Sequence, residues 1–140
     1  MSEPDMTTPY FARIPHTADL AIRVWGGDVR ELFVNAARAL FSLMSEPPPA
    51  VTLSREITVS STDQEALLVD WLNELLYRHE VDGETYTAFE IDVLQDEQLH
   101  ARVSGAPTVL RTKGIKAVTF NDLSIRQVNT HLEATIIFDV

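Results

Sequence analysis

Pro15-His16-Thr17-Ala18-Asp19-Leu20-Ala21-Ile22-Arg23-Val24-Trp25-Gly26-Gly27 joins a polar corner directly to a run of alternating apolar residues. Side chains along a strand change face at every residue, so Leu20, Ile22 and Val24 share one side and Ala21, Arg23 and Trp25 the other. The stretch predicts a strand over 20–25 whose core face is Leu20, Ile22 and Val24. His16, Thr17 and Asp19 stand just ahead of it, where a site fits and where an ordinary turn fits equally well.

Upstream, residues 1–9 read as a flexible leader, and 10–14 as a short strand or extended lead-in ended by Pro15. Downstream, Asp28 can cap a helix over 29–44, in which Leu32, Phe33, Ala36, Ala37, Leu40, Leu43 and Met44 recur at three- and four-residue spacing. Pro47-Pro48-Pro49 ends it, because proline has no N–H to give and restricts the residue before it. A strand at 56–61 follows, then Asp63 caps a second helix from Gln64, striped by Leu67, Leu68, Trp71, Leu72, Leu75 and Leu76. That stripe represents on the order of 10 kcal/mol of gross burial before entropy is subtracted. Asp70, Asn73, Glu74 and Tyr77 fall on its opposite side or edges, and Gly83 terminates the segment.

Strands at 88–94 and 99–103 flank the turn Gln95-Asp96-Glu97, and three more are expected at 115–120, 123–128 and 131–138. Between them, 105–114 reads as irregular and as the most mobile loop, with Arg111 and Lys113 adding positive charge. Late strands without intervening helices pair as antiparallel hairpins, which excludes a doubly wound parallel sheet. The expected fold is α+β, a single domain over 1–140 with two helices packed on a largely antiparallel sheet.

The chain has no cysteine, so disulfides, thiolate metal sites and a cysteine nucleophile are excluded. A formal charge of −10 has the wrong sign for holding nucleic acid through its phosphates, so no strong direct nucleic-acid binding is expected. No apolar run approaches the roughly 20 residues of a membrane helix, and a soluble, cytoplasmic protein is expected. Phosphate loops, HExxH and the nucleophile elbow are all missing.

The residues able to carry chemistry are His16 and Asp19 at the first corner, Lys116, and Asp139 beside the terminal carboxylate of Val140. Each also has an ordinary role: turn acceptor for Asp19, packing for His16, a solvated strand position for Lys116, a frayed end for Asp139. The sharper reading brings both ends together, so that Asp19 and Asp139 offer oxygens to one cation. Oxygen ligands favour magnesium, calcium or manganese, and adding His16 shifts the preference towards manganese or zinc. Two carboxylates bind weakly, which suits a metal shared with another protein.

PHTADLAIRVWG, ELFVNAARALFSLM, LLVDWLNELLY, KAVTF and a chain ending in FDV, in that order, resemble the archease family over nearly the full length. The resemblance implies a duplicated strand-helix-strand-strand fold and a small metal-binding protein that assists the GTP-dependent RNA ligase RtcB. Such a helper is not itself a catalyst. It promotes transfer of GMP from GTP to the ligase and multiple turnover in tRNA splicing or RNA repair. By position, the family's metal site falls on Asp19 and Asp139 with Val140 adjacent, and Lys116 is its characteristic basic residue. This chain departs from the family at Phe120 and Asn121, where KAVTYH is common, at Ala21, where glycine is frequent, and in a short 104–110 segment. The alternatives are a stand-alone metal-dependent enzyme and a chaperone-like protein-binding module. Two ionised carboxylates are poor proton-transfer groups near neutral pH, which counts against the enzyme.

Overall fold

The computed structural model describes residues 10–14, 20–112, 114–120 and 123–140. Among these residues eight strands and two α-helices follow in the order β1 (Phe11–Ile14), β2 (Leu20–Gly26), α1 (Val29–Met44), β3 (Leu53–Ser60), α2 (Gln64–Tyr77), β4 (Glu84–Leu94), β5 (Gln98–Pro107), β6 (Ala117–Thr119), β7 (Ile125–Val128) and β8 (His131–Asp139). They form two antiparallel sheets, the α+β architecture of helices on antiparallel sheet that the sequence predicts. One has the order β1-β2-β8-β6, with β7 also on β8, and the other the order β3-β5-β4. The unit β3-α2-β4-β5 is contiguous in the chain. The strands of the first sheet and α1 come from either side of it.

Both helices start where the sequence requires. The carboxylate of Asp28 accepts the Glu31 N–H and that of Asp63 accepts the Ala66 N–H, each at 2.8 Å, so orphan donors of the first turn are satisfied. Helix α1 touches β2 of the first sheet and β4 of the second. Burial therefore extends past the expected stripe to Asn35, Ala39 and Phe41. Asn35 is tolerated there because its amide donates to the Trp25 carbonyl at 2.9 Å. Helix α2 buries the expected stripe plus Ala66 and Val69, and the Trp71 indole N–H donates to the Phe33 carbonyl at 3.1 Å, tying the two helices together. The chain leaves α2 through a π-helical turn, Arg78–Asp82, and reverses at Gly83, whose φ of 67° is a left-handed conformation that glycine adopts without a Cβ penalty.

The first strand has Ile22 and Val24 fully buried, as its pattern predicts, with Leu20 half-buried. Its other face is not simply solvated. Ala21 and its cross-strand partner Ile137 are buried there as well, outside the main core cluster. Several boundaries move: β3 begins at Leu53, three residues before the expected start, and β6 and β7 shorten to 117–119 and 125–128. Strand β4 begins at Glu84, four residues before the expected start, and β5 runs on to Pro107. The segment expected to be most mobile is strand up to 107 and is pinned beyond it. Thr108 N–H donates to Gly83 O, Thr112 N–H to Met44 O, and Glu46 N–H to Leu110 O, while Arg111 bridges to the Glu80 carboxylate at 3.2 Å. Lys113 and the leader 1–9 lie outside the described residues.

Candidate functional site

The core face of β8 carries Ala134, Ile136 and Phe138, all in the core cluster, so Thr135, Ile137 and Asp139 fall on the other face. Short strand β6 pairs with the end of β8, with Ala117 opposite Asp139, Val118 opposite Phe138 and Thr119 opposite Ile137. In addition, the Lys116 N–H donates to the Asp139 carbonyl at 2.7 Å. Lys116 and Ala117 are thus two residues matched to one, the arrangement of a β-bulge, which breaks the alternation of faces and re-aims a side chain. Burial agrees: Ile115 and Val118 are buried, while Lys116 is exposed and Ala117 half-buried between them.

The structure therefore brings Lys116 and Asp139 together, and Asp139 is an ordered strand residue rather than a frayed end. Its side chain is exposed, as is that of Val140, which follows it in the chain, at 42%. His16 and Asp19 lie outside the described residues. Leu20, which follows Asp19 in the chain, has Phe138 as its Cα partner, and Phe138 precedes Asp139.

One participant escaped the sequence reading. Asn73, on the edge of α2, accepts the Val118 N–H on its Oδ1 at 2.9 Å and donates from Nδ2 to the Val118 carbonyl at 3.1 Å. A single amide thus substitutes for a strand on the open edge of β6. Near the N-terminus of α2, Glu65 does a related job, accepting the Ile125 N–H of β7 at 3.2 Å. The only hint in the sequence is that Asn73 sits four residues after the buried Val69 and three before the buried Leu76, at the margin of the apolar stripe.

Asp139 brings a carboxylate to this corner, and among the described residues no group of three or more His, Asp or Glu side chains could hold an ion.

A second titratable cluster lies on the other sheet, in a hollow of about 490 Å³ lined by Arg30, Glu56, Glu90, Ile91, Asp92, His100 and Arg102. His100 on central β5 reaches Asp92 of β4 at 2.6 Å and Glu56 of β3 at 3.1 Å, clipping all three strands. The Asp92 carboxylate, with help from Glu56, raises the His100 pKa above its ordinary value, and His100 in turn lowers that of Asp92. A raised histidine pKa stabilises the fold below about pH 6.5 and loses that contribution as pH rises through the folded value, whereas the lowered aspartate loses its contribution only in acid. The clip should therefore help most between about pH 4 and 6.5. His100→Gln is expected to flatten the fall of the urea midpoint between pH 6 and 8. A wild-type midpoint without that fall would contradict the assignment.

No helix among the described residues is long and apolar enough to cross a membrane. Residues 11–140 match the archease protein family (MTH1598/TM1083). The chain is 35% identical to the protein archease of Methanosarcina barkeri over 136 residues, covering 91% of this chain and 93% of that one. It is 34% identical to that of Methanopyrus kandleri, covering 91% and 96%. The solution structure of Methanobacterium thermoautotrophicum protein 1598 superposes with a TM-score of 0.73 at 29% identity, over 95% of this chain and all of that one. The crystal structure of an archease from Thermotoga maritima, described as a possible chaperone, shares the fold with a TM-score of 0.66 at 20% identity, over 99% and 100%. With its two helices, its two antiparallel sheets and a family match that runs from β1 to the last residue, the chain belongs to the archease family.

Proposed function

We propose that this chain is a non-catalytic activator of a GTP-dependent RNA ligase of the RtcB type, promoting formation of the ligase–GMP intermediate and repeated turnover in tRNA splicing or RNA repair. The observation that carries the reading is the register at the end of β8. Lys116 is bonded to Asp139 through the backbone, and Leu20, next in the chain to Asp19, is paired with Phe138. Asp19 and Asp139 would hold a divalent ion, with Val140 adjacent and His16 a further candidate ligand. When bound, that ion would neutralise phosphate charge at the partner's nucleotide site. Lys116 contributes an exposed ammonium on the same bulge, able to meet a phosphate oxygen or hold a carboxylate in place. The exposed side chain of Val140 adds an apolar group next to Asp139 for the partner protein to cover.

The test mixes this protein with its cognate ligase, GTP and manganese and counts ligase turnovers. An activator supports many turnovers at a molar ratio far below one. One turnover per helper, or GTP-dependent chemistry without the ligase, would contradict the proposal. A second reading, a protein-binding module acting by contact alone, draws on four exposed apolar residues, Val51, Val81, Val109 and Leu110. Backbone bonds from Thr52 to Gly105 and from Thr108 to Gly83 gather their segments at one end of the second sheet. That reading predicts stimulation only at stoichiometric amounts.

A further inference from the structure

We propose that Asn73 is a positioning residue for Lys116, holding the bulge that sets where the lysine stands relative to Asp139; this rests on the activator reading above. Strand β6 has three residues and, among the described residues, only β8 as a strand partner, so by itself it is a weakly held edge. Ala117 and Thr119 are the residues matched to Asp139 and Ile137, and the N–H and C=O of Val118 between them go to the Asn73 amide. The clamp falls immediately after the two residues that share Asp139. It fixes the far side of the bulge while the Asp139 carbonyl fixes the near side through the Lys116 N–H. Val118 is itself buried, so both its backbone groups need partners if β6 is to stay in this register.

Without Asn73, the Val118 N–H and C=O lose their partners on that edge, and an undistorted pairing that removes the bulge and turns Lys116 to another face becomes competitive. The helix supplying the clamp is anchored through Trp71 and its leucines in the core. The position of Lys116 is thereby referred to a helix buried in the core rather than to a short edge strand alone.

The test uses the full chain with Asn73→Ala, with Val59→Ala in the second sheet as a destabilised control and Lys116→Ala as the reference for loss of the lysine. Amide exchange at Val118, followed by NMR without ligase or metal, should speed up about tenfold or more in Asn73→Ala and not in Val59→Ala. In the ligase assay, run where every variant is folded, the manganese concentration giving half-maximal stimulation should rise about tenfold in Asn73→Ala, as for loss of a group that orients a ligand. Unchanged exchange at Val118 overturns the clamp. Faster exchange with an unmoved manganese dependence, while Lys116→Ala is defective, overturns the positioning role. If Lys116→Ala stimulates normally, the activator reading of the lysine falls and takes this proposal with it, an outcome the exchange data alone cannot mimic.

Discussion

Asp139→Ala is expected to lower stimulation of ligase–GMP formation about tenfold or more, with the melting temperature left within about 2 °C of the parent. The two halves of that expectation have different origins. Functionally, the variant removes a side-chain carboxylate at the corner where Lys116, Ala117 and the end of β8 meet. An ion held by few protein oxygens cannot lose one without a large fall in occupancy. Structurally, the Asp139 side chain is exposed and its backbone carbonyl, which receives the Lys116 N–H, survives the substitution. Exposed substitutions of this kind change stability by no more than about 0.5 kcal/mol. A variant that stimulates normally would remove the metal corner from the account. One that unfolds would mean the side chain has a structural task.

Gly105→Ala is expected to be the most destabilising conservative change in the chain, at about 3 kcal/mol, equivalent to a fall on the order of 10 °C in melting temperature. Gly105 lies in the central strand of the second sheet, opposite Leu53 on one side and Tyr86 on the other. Next to it β4 carries an irregularity between Tyr86 and Ala88, and a Cβ on residue 105 would run into the carbonyl oxygen of Thr85, with Tyr86 Cα at 2.8 Å. The obstacle is backbone on a paired strand, so it cannot rotate away as a side chain would. Thr85 is further held by hydroxyl contacts to Ser45 at 3.1 Å and Thr108 at 2.9 Å. Thermal melts followed by circular dichroism check the expectation, and a melt within about 2 °C of the parent would show that β4 is free to move off.

Both helices were legible because their information is local. Asp28 and Asp63 announce the first turns, and the 3.6-residue spacing of Leu32 to Met44 and Leu67 to Leu76 marks the buried sides. What local patterns missed was contact between distant segments. The start of β4 at Glu84-Thr85 looks like a polar turn, yet both residues are buried. Glu84 is compensated by Arg55 of β3, at 2.6 Å, and by the Tyr86 hydroxyl, also at 2.6 Å, partners that only the folded sheet supplies. The same holds for α1, whose second buried side at Ala39 and Phe41 exists because a second sheet covers it.

At the site, residue types were readable and geometry was not. Lys116 and Asp139 stood out as charged residues in apolar surroundings, but their meeting depends on β6 pairing with the last residues of β8 across an extra residue. Asn73 reads as surface because its partner lies 45 positions away. Amide side chains that substitute for a strand leave no periodic trace.

If Asp19 and Asp139 act on one ion, as proposed, a double-mutant cycle in single-turnover ligase guanylylation will show it. Asp19→Asn, Asp139→Asn and the double variant are compared over a range of manganese concentrations. Two ligands of a shared ion give a double variant no worse than the poorer single one, because either loss alone already empties the site. Losses that multiply, with each single variant keeping its own manganese dependence, would mean that the two carboxylates work apart, and the account would fail.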